Sequence, residues 1–480
     1  MFKGKLVAGL TVLLVMFSVI IQVSIAYPEP ITWNPQEAAK LAIESLNMDN
    51  IKKHVKALSS FGSRFTGYEG YEKAAEYIYS FLSEDLGLNT WMWTYEAVVP
   101  YDANSTLVIV SPVKRVFRVY ALFPNLVQTC TGVYEGKVVY VGEGNVKDFE
   151  GKNITGSIVV MNYNSRANWM YALNLGAKAV VFIEPLYTVR GEGDYKVLEV
   201  PIKFPRVVIK YTDAKELINL LRDAEAKGVD VVARLEVKMY WRKVVLRNIF
   251  AWIPGTLNES YVVMLACLFD AYGVVPGLTP AADEASSAAV LLEFARILKE
   301  HRPKRNVLLA FFSGAAIGMT GARHFAEYLF FKHWDNDNPA IFNGSKGLIA
   351  ISGNQTVAVF VPCFSSDSPA ITLTTLGTFY GGLDIEHRAA TNIYAIESYL
   401  KDYNIESIRR AGGVYDLTTR TYHLAGRNYT VYFAISSFDR EGLPSQVNHV
   451  GEVFLHVPIF SLTFYTAHAA RIIWETPCDT

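Results

Sequence analysis

The 480-residue sequence contains few cysteines, few charged residues and no excess of either sign of charge. Its four cysteines form no C-x-x-C pair, which excludes a readable zinc finger or thioredoxin motif. Charged residues make up 19% of the chain and the net charge is −1, so there is no electrostatic basis for a nucleic-acid partner. Hydrophobic residues make up 51%, which excludes a long disordered protein. The composition indicates a globular chain with room for about two or three domains.

The N-terminal segment, residues 1–26, predicts export. Lys3 and Lys5 precede an uncharged run over residues 6–26, which ends in the small-x-small cleavage site Ser24-Ile-Ala26. The run is also long enough to span a bilayer, so the segment is either a cleaved signal peptide or an N-terminal membrane anchor. In both cases the lysines favour the cytoplasmic side, and we expect the body of the protein to be secreted or membrane-anchored outside the cytoplasm.

Two further features concern an exported chain. Sequons for N-glycosylation are more frequent than chance predicts, although one of them lies in a strand-like run and need not be used. They begin at Asn104, Asn153, Asn258, Asn343, Asn354 (the strand-like case) and Asn428. Outside the cell Cys130 or Cys363 could pair with Cys478, and the sequence leaves the disulfide connectivity open.

Apolar strands alternate with helices in residues 34–115 and 244–475. This alternation predicts one discontinuous α/β domain, with a mostly parallel central sheet flanked by helices and functional groups at the carboxyl ends of its strands. Residues 116–243 contain instead short strands bounded by glycine, with helices between them. Their order resembles the protease-associated domain, a small β-rich domain inserted in extracellular peptidases that binds or covers and does no chemistry.

Several ordered segments carry a wider resemblance. They are Ser60–Gly67, Arg247–Gly255, Ala266–Asp270, Pro276–Ser286, Phe312–Gly321 and Ser436–Ser445. Together, over residues 50–470, they resemble the zinc aminopeptidases of metallopeptidase family twenty-eight, whose relatives include the transferrin receptor, glutamate carboxypeptidase and nicastrin. The resemblance implies a zinc-exopeptidase-like α/β fold. In active members two zinc ions polarise a peptide carbonyl and activate a shared water, and a carboxylate takes the proton of that water.

The resemblance assigns a residue of this chain to each position of that site. The family's His-x-Asp falls on Leu268 and Asp270, so the carboxylate that orients the histidine is present and the histidine is not. The bridging aspartate falls on Asp283, followed by Glu284. The Glu-Glu pair falls on Ala315-Ala316, which puts Ala315 at the expected general-base position. Since leucine and alanine neither bind metal nor accept a proton, these changes predict the loss of catalysis.

The last two ligands of the family lie further along the chain. The later aspartate, expected after the strand-like residues 349–351, falls on Ser352 or Gly353. The final histidine falls on His449, with His456 as a weaker candidate. Asp283 and His449 are therefore the candidate metal ligands, with Asp270 and Glu284 as remnants of the site.

Shifting this assignment by a few residues does not restore the missing histidine or the missing Glu-Glu pair. No histidine lies between His54 and His301, and no acidic residue lies between Glu300 and Glu327. The His-x-Asp histidine and the Glu-Glu pair therefore have no neighbouring substitutes.

Each surviving residue also has a purely structural interpretation. Asp283 is suited to cap the helix that it begins, and Asp270 at a strand end can accept bonds from nearby backbone amides. His449 can be an ordinary loop or interior histidine. Besides the remnant of a two-zinc site and these structural roles, a further interpretation is that Glu284, Asp283 and His449 form a single-metal site.

The sequence thus predicts a non-catalytic homologue of the zinc aminopeptidases that binds a protein or peptide partner and needs no cofactor. The alternative is an active zinc-dependent exopeptidase acting on extracellular peptides, which requires the assignment of the ligand positions to be wrong. A hydrolase with a relocated, metal-free site ranks last, because Gly-x-Ser-x-Gly is absent.

Overall fold

The structure is a computed structural model. It describes residues 41–42, 44–257, 259–364 and 371–374, and shorter stretches towards the C terminus (409, 412–416, 421–424, 427–429, 450–454, 457 and 459–466). Two large sheets dominate these residues, a seven-stranded open sheet and a closed barrel. The chain is therefore a mixed α/β protein, as predicted.

The open sheet is built from strands that precede and follow the barrel segment in the chain. They are β1 (Asn89–Asp102), β9 (Met239–Ile253), β10 (Val262–Leu268), β11 (Asn306–Phe312), β14 (Thr356–Cys363), β15 (Ile371–Thr374) and β19 (Phe460–Thr466). Their order is β1-β9-β11-β10-β14-β19-β15. The neighbours β11, β10, β14 and β19 are parallel, whereas β1, β9 and β15 pair antiparallel. The prediction of a mostly parallel sheet therefore holds for its centre and is wrong for its edges.

Helices cover both faces of this sheet. On one face lie α1 (Met48–Ser60), α2 (Glu69–Ser80) and α6 (Ala282–Glu300), and on the other α7 (Thr320–Ala326) and α8 (Val450–Phe454). Leu265 and Leu309 pack under the first group, and their neighbours Met264 and Leu308 pack under the second. Because β10 and β11 have two buried faces, they are apolar at nearly every position rather than at alternate ones.

The barrel contains the strands of the middle of the chain. They are β2 (Thr106–Ser111), β3 (Arg115–Ala121), β4 (Gly132–Tyr140), β5 (Ile158–Asn162), β6 (Ala179–Ile183), β7 (Arg206–Ile209) and β8 (Val232–Val237), in the order β2-β3-β7-β6-β5-β4-β8. Three helices accompany them, α3 (Trp169–Asn174), α4 (Arg190–Asp194) and α5 (Tyr211–Ala226). The range 116–243 predicted for an inserted domain begins inside β3, while the barrel itself begins at β2.

The barrel lies against a loop that leaves the open sheet. In this loop, which follows β10, Val274 accepts a hydrogen bond of 2.8 Å from the backbone N–H of Phe123. Val274 and Val275 also belong to an apolar cluster with barrel residues such as Tyr163 and Phe182. The barrel is thus packed beside the edge of the sheet where β10 ends.

Two small sheets complete the described fold. One is the hairpin of β12 (Ala340–Gly344) and β13 (Gly347–Ile351), and the other contains β16 (Val414–Asp416), β17 (Thr421–Leu424) and β18 (Arg427–Tyr429). Within the residues described above, none of the helices combines the length and the apolar character needed to cross a membrane.

Candidate functional site

The candidate site lies where two parallel strands end side by side. Leu268, the last residue of β10, pairs in register with Phe312, the last residue of β11. Asp270 follows the first strand, and the turn 314–316 follows the second, so both lie at the carboxyl edge of the sheet. This edge is where an open α/β sheet places its functional groups.

Asp270 holds the turn after β11 through backbone donors. Its Oδ2 accepts hydrogen bonds from the N–H of Gly314 at 2.7 Å and of Ala315 at 3.3 Å. The hydroxyl of Thr66 donates to the same oxygen at 2.7 Å, and accepts from the N–H of Ala316 at 3.1 Å. The expectation that Asp270 accepts nearby backbone amides is confirmed.

The turn itself depends on glycine. Gly314 has φ 92°, a left-handed conformation that other residues seldom adopt. A Cβ there would also lie 2.9 Å from the backbone N of Thr320 and the hydroxyl of Tyr95. The chain therefore turns sharply at Gly314 and presents the half-buried Ala315 and Ala316 at the edge of the sheet.

The electrostatics of Asp270 are set mainly by burial, since the residue is 1% exposed. Burial raises the pKa of its carboxyl group from 3.8 to about 6. The hydrogen bonds from Thr66, Gly314 and Ala315 oppose this rise in pKa, and so does the positive charge of Arg64. Arg64 is itself fully buried and donates from Nη2 to the carbonyl of Ala281 at 2.7 Å.

A second polar network, which sequence reasoning missed, connects the turn to β9 and β1. Asn248 on β9 accepts a hydrogen bond from the N–H of Ser313 at 3.1 Å and donates to the carbonyl of Gly321 at 2.9 Å. The hydroxyl groups of Tyr95 and Ser313 are 2.9 Å apart. A polar Asn248 directly before the apolar run 249–253 was the available signal, because a buried amide needs partners.

Asp283 and Glu284 lie in the first turn of α6, which begins at Ala282. Asp283 is the second residue of the helix, and the N-cap is Ala281, which has φ 54°. The interpretation of Asp283 as the cap is therefore wrong, because the chain enters the helix through a left-handed bend at Ala281, two positions before Asp283. The side chain of Asp283 lies outside what the structure describes, and Glu284 is half-buried.

The structure corrects the expected place of the later aspartate. Residues 349–351 belong to β13, in the separate hairpin, so Ser352 and Gly353 come before β14 and not after a strand of the open sheet. Since Thr356, the first residue of β14, pairs with Val262, the first of β10, both positions lie at the amino edge. The run 349–351 is apolar enough for a core strand, but its contacts place it outside the sheet.

Cys363 is the residue that ends β14 at the carboxyl edge, and it is half-buried there. The preceding pairing of Leu265 with Phe360 places Cys363 level with Leu268. Cys267 of β10 is fully buried, and burial raises its thiol pKa well above the usual range. The next acidic residue after β14, Asp367, lies outside the described residues.

The structure therefore brings together only part of the predicted set. Asp270 and Ala315 are in hydrogen-bond contact. His449 and His456 lie outside the described residues, as do residues 1–26 and Cys478. Among the side chains that the structure describes, no three His, Cys, Asp or Glu converge as a metal site would require.

Comparison with known proteins follows the same segments. Residues 248–344 match the model of peptidase family M28. No curated protein matches the chain. Among solved structures, the peptidase M28 precursor from Shewanella amazonensis SB2B is 14% identical over 93% of this chain and 90% of its own, with a TM-score of 0.50. The zinc aminopeptidase BSAP from Bacillus subtilis is 17% identical over 90% and 89%, with a TM-score of 0.48.

An aminopeptidase from Aneurinibacillus sp. strain AM-1 is also similar, at 17% identity over 91% of this chain and 89% of its own, with a TM-score of 0.42. At these identities the structural likeness concerns the fold alone. The segment that matches the family model contains Asp270, Asp283, Glu284 and Ala315. The resemblance to peptidase family M28, the zinc aminopeptidase family, is therefore confirmed.

Proposed function

We propose that this protein is a non-catalytic relative of the zinc aminopeptidases that acts outside the cytoplasm by binding a protein or peptide partner. The observation that carries the proposal is the turn after β11. At the position where the family's general base is expected, the chain has Ala315, whose methyl group accepts no proton. The contribution of this residue to the site is its backbone N–H, which it donates to Asp270.

The donors at the carboxyl edge do not fit a pair of zinc ions. A catalytic zinc normally has three protein ligands from histidine, cysteine or carboxylate side chains. Here β10 ends in Leu268, the turn after β11 carries Ala315 and Ala316, and the carboxylate of Asp270 already accepts several protein hydrogen bonds. Zinc affinity depends on the number and geometry of ligands, so this set supports no tight two-zinc site.

The competing proposal is an active zinc exopeptidase, and the family match is what favours it. It requires ligands beyond the described residues, with His449 among them, to converge on Asp283. It also requires another group to take the role of the missing general base.

The barrel supplies the second part of the proposal. We propose that it is a protease-associated domain, because parallel strands β4 to β7 belong to a closed seven-stranded barrel that is inserted between β1 and β9. Its packing beside the loop after β10 supports a role in covering or binding at the carboxyl edge. Export, with secretion or membrane anchoring by residues 1–26, is part of the same proposal and rests on the leader sequence.

Metal content tests the proposal most directly. The purified protein, dialysed against trace zinc, should retain well under one zinc per chain by elemental analysis and should hydrolyse none of a panel of aminoacyl and peptide substrates. Asp283→Ala, the matched control, should leave the metal content unchanged. Two zinc ions per chain that a chelator removes together with peptidase activity would refute the proposal. One zinc that is lost in Asp283→Ala would instead establish a reduced metal site.

A further inference from the structure

Sequon asparagines are exposed wherever the structure describes their burial. Asn104, Asn153, Asn343 and Asn354 are all exposed. Asn354, expected in a strand, lies instead in the turn Gly353–Gln355 before β14. Exposure is necessary for an asparagine that carries a bulky glycan in the folded protein.

In the open sheet the acceptors lie at the edge opposite to the candidate site. Asn354 precedes Thr356, which pairs with the first residue of β10, and so lies at the amino edge. Asn343 is in the β12–β13 hairpin, where the backbone N–H of Ser345 donates to the carbonyl of Thr90 near the start of β1. The antiparallel order of β1, β9 and β11 puts that start at the amino edge of β11.

The barrel repeats this arrangement. Asn153 precedes the amino end of β5, whereas Tyr163, just after the carboxyl end of β5, shares an apolar cluster with Val274 in the loop of the open sheet. Asn153 is therefore at the end of the strand that points away from that loop. Asn104 differs, because it lies in the turn between β1 and β2 at the junction of the two sheets.

The hairpin carries a second feature that points to a glycan. Asn343 pairs directly with Leu348 across the two strands. Leu348 is 72% exposed and Ile341, two residues before Asn343 on the same face, is 54% exposed. Ile341 and Leu348 thus form an exposed apolar patch on one face of the hairpin, and contiguous exposed apolar patches favour association. A glycan on Asn343 would lie over this apolar face.

We propose that Asn153, Asn343 and Asn354 carry N-linked glycans, and that the glycan on Asn343 covers the apolar face of the β12–β13 hairpin. The proposal rests on export and is independent of whether the protein binds zinc. In the transfer, the bond from the anomeric carbon of a lipid-linked oligosaccharide to its phosphate oxygen breaks, and the carbon bonds to the asparagine Nδ2. The lipid phosphate leaves with the electron pair, and an amide proton passes to a base of the transferase.

The folded structure also sets the time of modification. The hydroxyl of Ser345, the third residue of the Asn343 sequon, accepts from the N–H of Thr90 at 3.1 Å and donates to the carbonyl of Leu88 at 3.3 Å. Thr356, the third residue of the Asn354 sequon, is only 2% exposed. A transferase therefore reaches these sequons before β12 to β14 have folded, during export.

The test is to produce the full chain through the secretory route of an N-glycosylating host and to map its glycopeptides by mass spectrometry. Glycosidase treatment should lower the mass of the exported protein, with occupancy at all three asparagines. Asn343→Gln should remove one glycan, and the control Asn174→Gln, at an exposed asparagine outside any sequon, should remove none. An exported protein that is unmodified at Asn343, or a chain that is not exported, would overturn the proposal.

Light scattering then tests the covering role. Asn343→Gln should increase self-association, and Leu348→Ser added to it should restore the monodisperse state of the glycosylated protein. Equal self-association of the glycosylated protein and Asn343→Gln would show that the glycan does not shield a self-associating surface. This readout does not depend on peptidase activity or zinc, so its failure would leave the proposed binding function untouched.

Discussion

Replacing Asp270 by asparagine should change how stability depends on pH. Burial raises the pKa of this carboxyl group from 3.8 to about 6 in the folded protein. The folded state therefore binds the proton more tightly than the unfolded state does. Between about pH 4 and pH 6 the free energy of unfolding contributed by Asp270 falls as pH rises, and this stabilisation is fully present only below the unfolded pKa.

The magnitude follows from the linkage between protons and folding. One proton gives a slope of about 1.4 kcal/mol per pH unit, and the two pKa values differ by about two units, so Asp270 contributes roughly 3 kcal/mol across the interval. Asparagine does not titrate. The difference in unfolding free energy between wild type and Asp270→Asn should therefore shrink by roughly 3 kcal/mol as pH rises from 4 to 7.

His54 produces an opposing slope that the experiment must separate. Burial lowers its pKa from 6.5 to about 4, so the stability that it contributes is present above pH 6.5 and lost as pH falls towards 4. In wild type the two slopes largely cancel between pH 4 and pH 6. Asp270→Asn should uncover the rising slope of His54, and His54→Gln should uncover the falling slope of Asp270.

Urea unfolding of wild type, both single variants and the double variant at half-unit steps from pH 4 to 7 measures these slopes. The double variant should lose both contributions. Parallel pH profiles for wild type and Asp270→Asn would refute the reasoning, because they would mean that folding leaves the pKa of Asp270 unchanged.

Two other predictions concern buried hydrogen-bonded contacts. Glu293→Ala should lower the unfolding free energy by about 1–3 kcal/mol in urea, because the buried Glu293 accepts hydrogen bonds from the N–H of Asn47 and the side-chain amide of Asn50. Arg296 would keep its ion pair with Glu300. An unchanged midpoint would contradict this. Gly321→Ala should destabilise by about 1–3 kcal/mol, because its Cβ would lie 2.3 Å from Oδ1 of Asn248. Gly191→Ala, with nothing within 4 Å, is the control and should stay within about 0.5 kcal/mol in the same assay.

The regular part of the fold could be predicted from the sequence because local pattern and burial agree there. The run 306–312 forms the buried strand β11, and the helix expected to begin at Asp283 begins one residue earlier, at Ala282. Both elements lie in the core. The strand is apolar at nearly every position and the helix has apolar residues in nearly every turn, so periodicity and tertiary packing favour the same structure. The pairing of Leu268 with Phe312, and hence the location of Asp270, follows from that alternation.

Two features of the site could not be predicted in this way. The run 349–351 has the composition of a core strand, yet it pairs with β12 in a hairpin, because a short apolar run does not specify its partner. The start of α6 depends on the left-handed conformation of Ala281, which the residue type does not signal. Both errors arise from backbone geometry that is fixed by surrounding contacts rather than by local sequence.

Asp270 shows why a residue that the family resemblance assigns to a catalytic site does not by itself indicate catalysis. Its carboxylate joins the segment of Thr66, the end of β10 and the turn at Gly314, so its removal would leave buried donors without an acceptor. Each such donor costs about 1–3 kcal/mol, whether or not a metal binds nearby. Fold stability alone is therefore enough to retain Asp270. Ala315 is the opposite case, since the turn uses its backbone N–H and not its side chain. A change of side chain at this position leaves the hydrogen bond to Asp270 in place, so the fold itself does not require a catalytic group there.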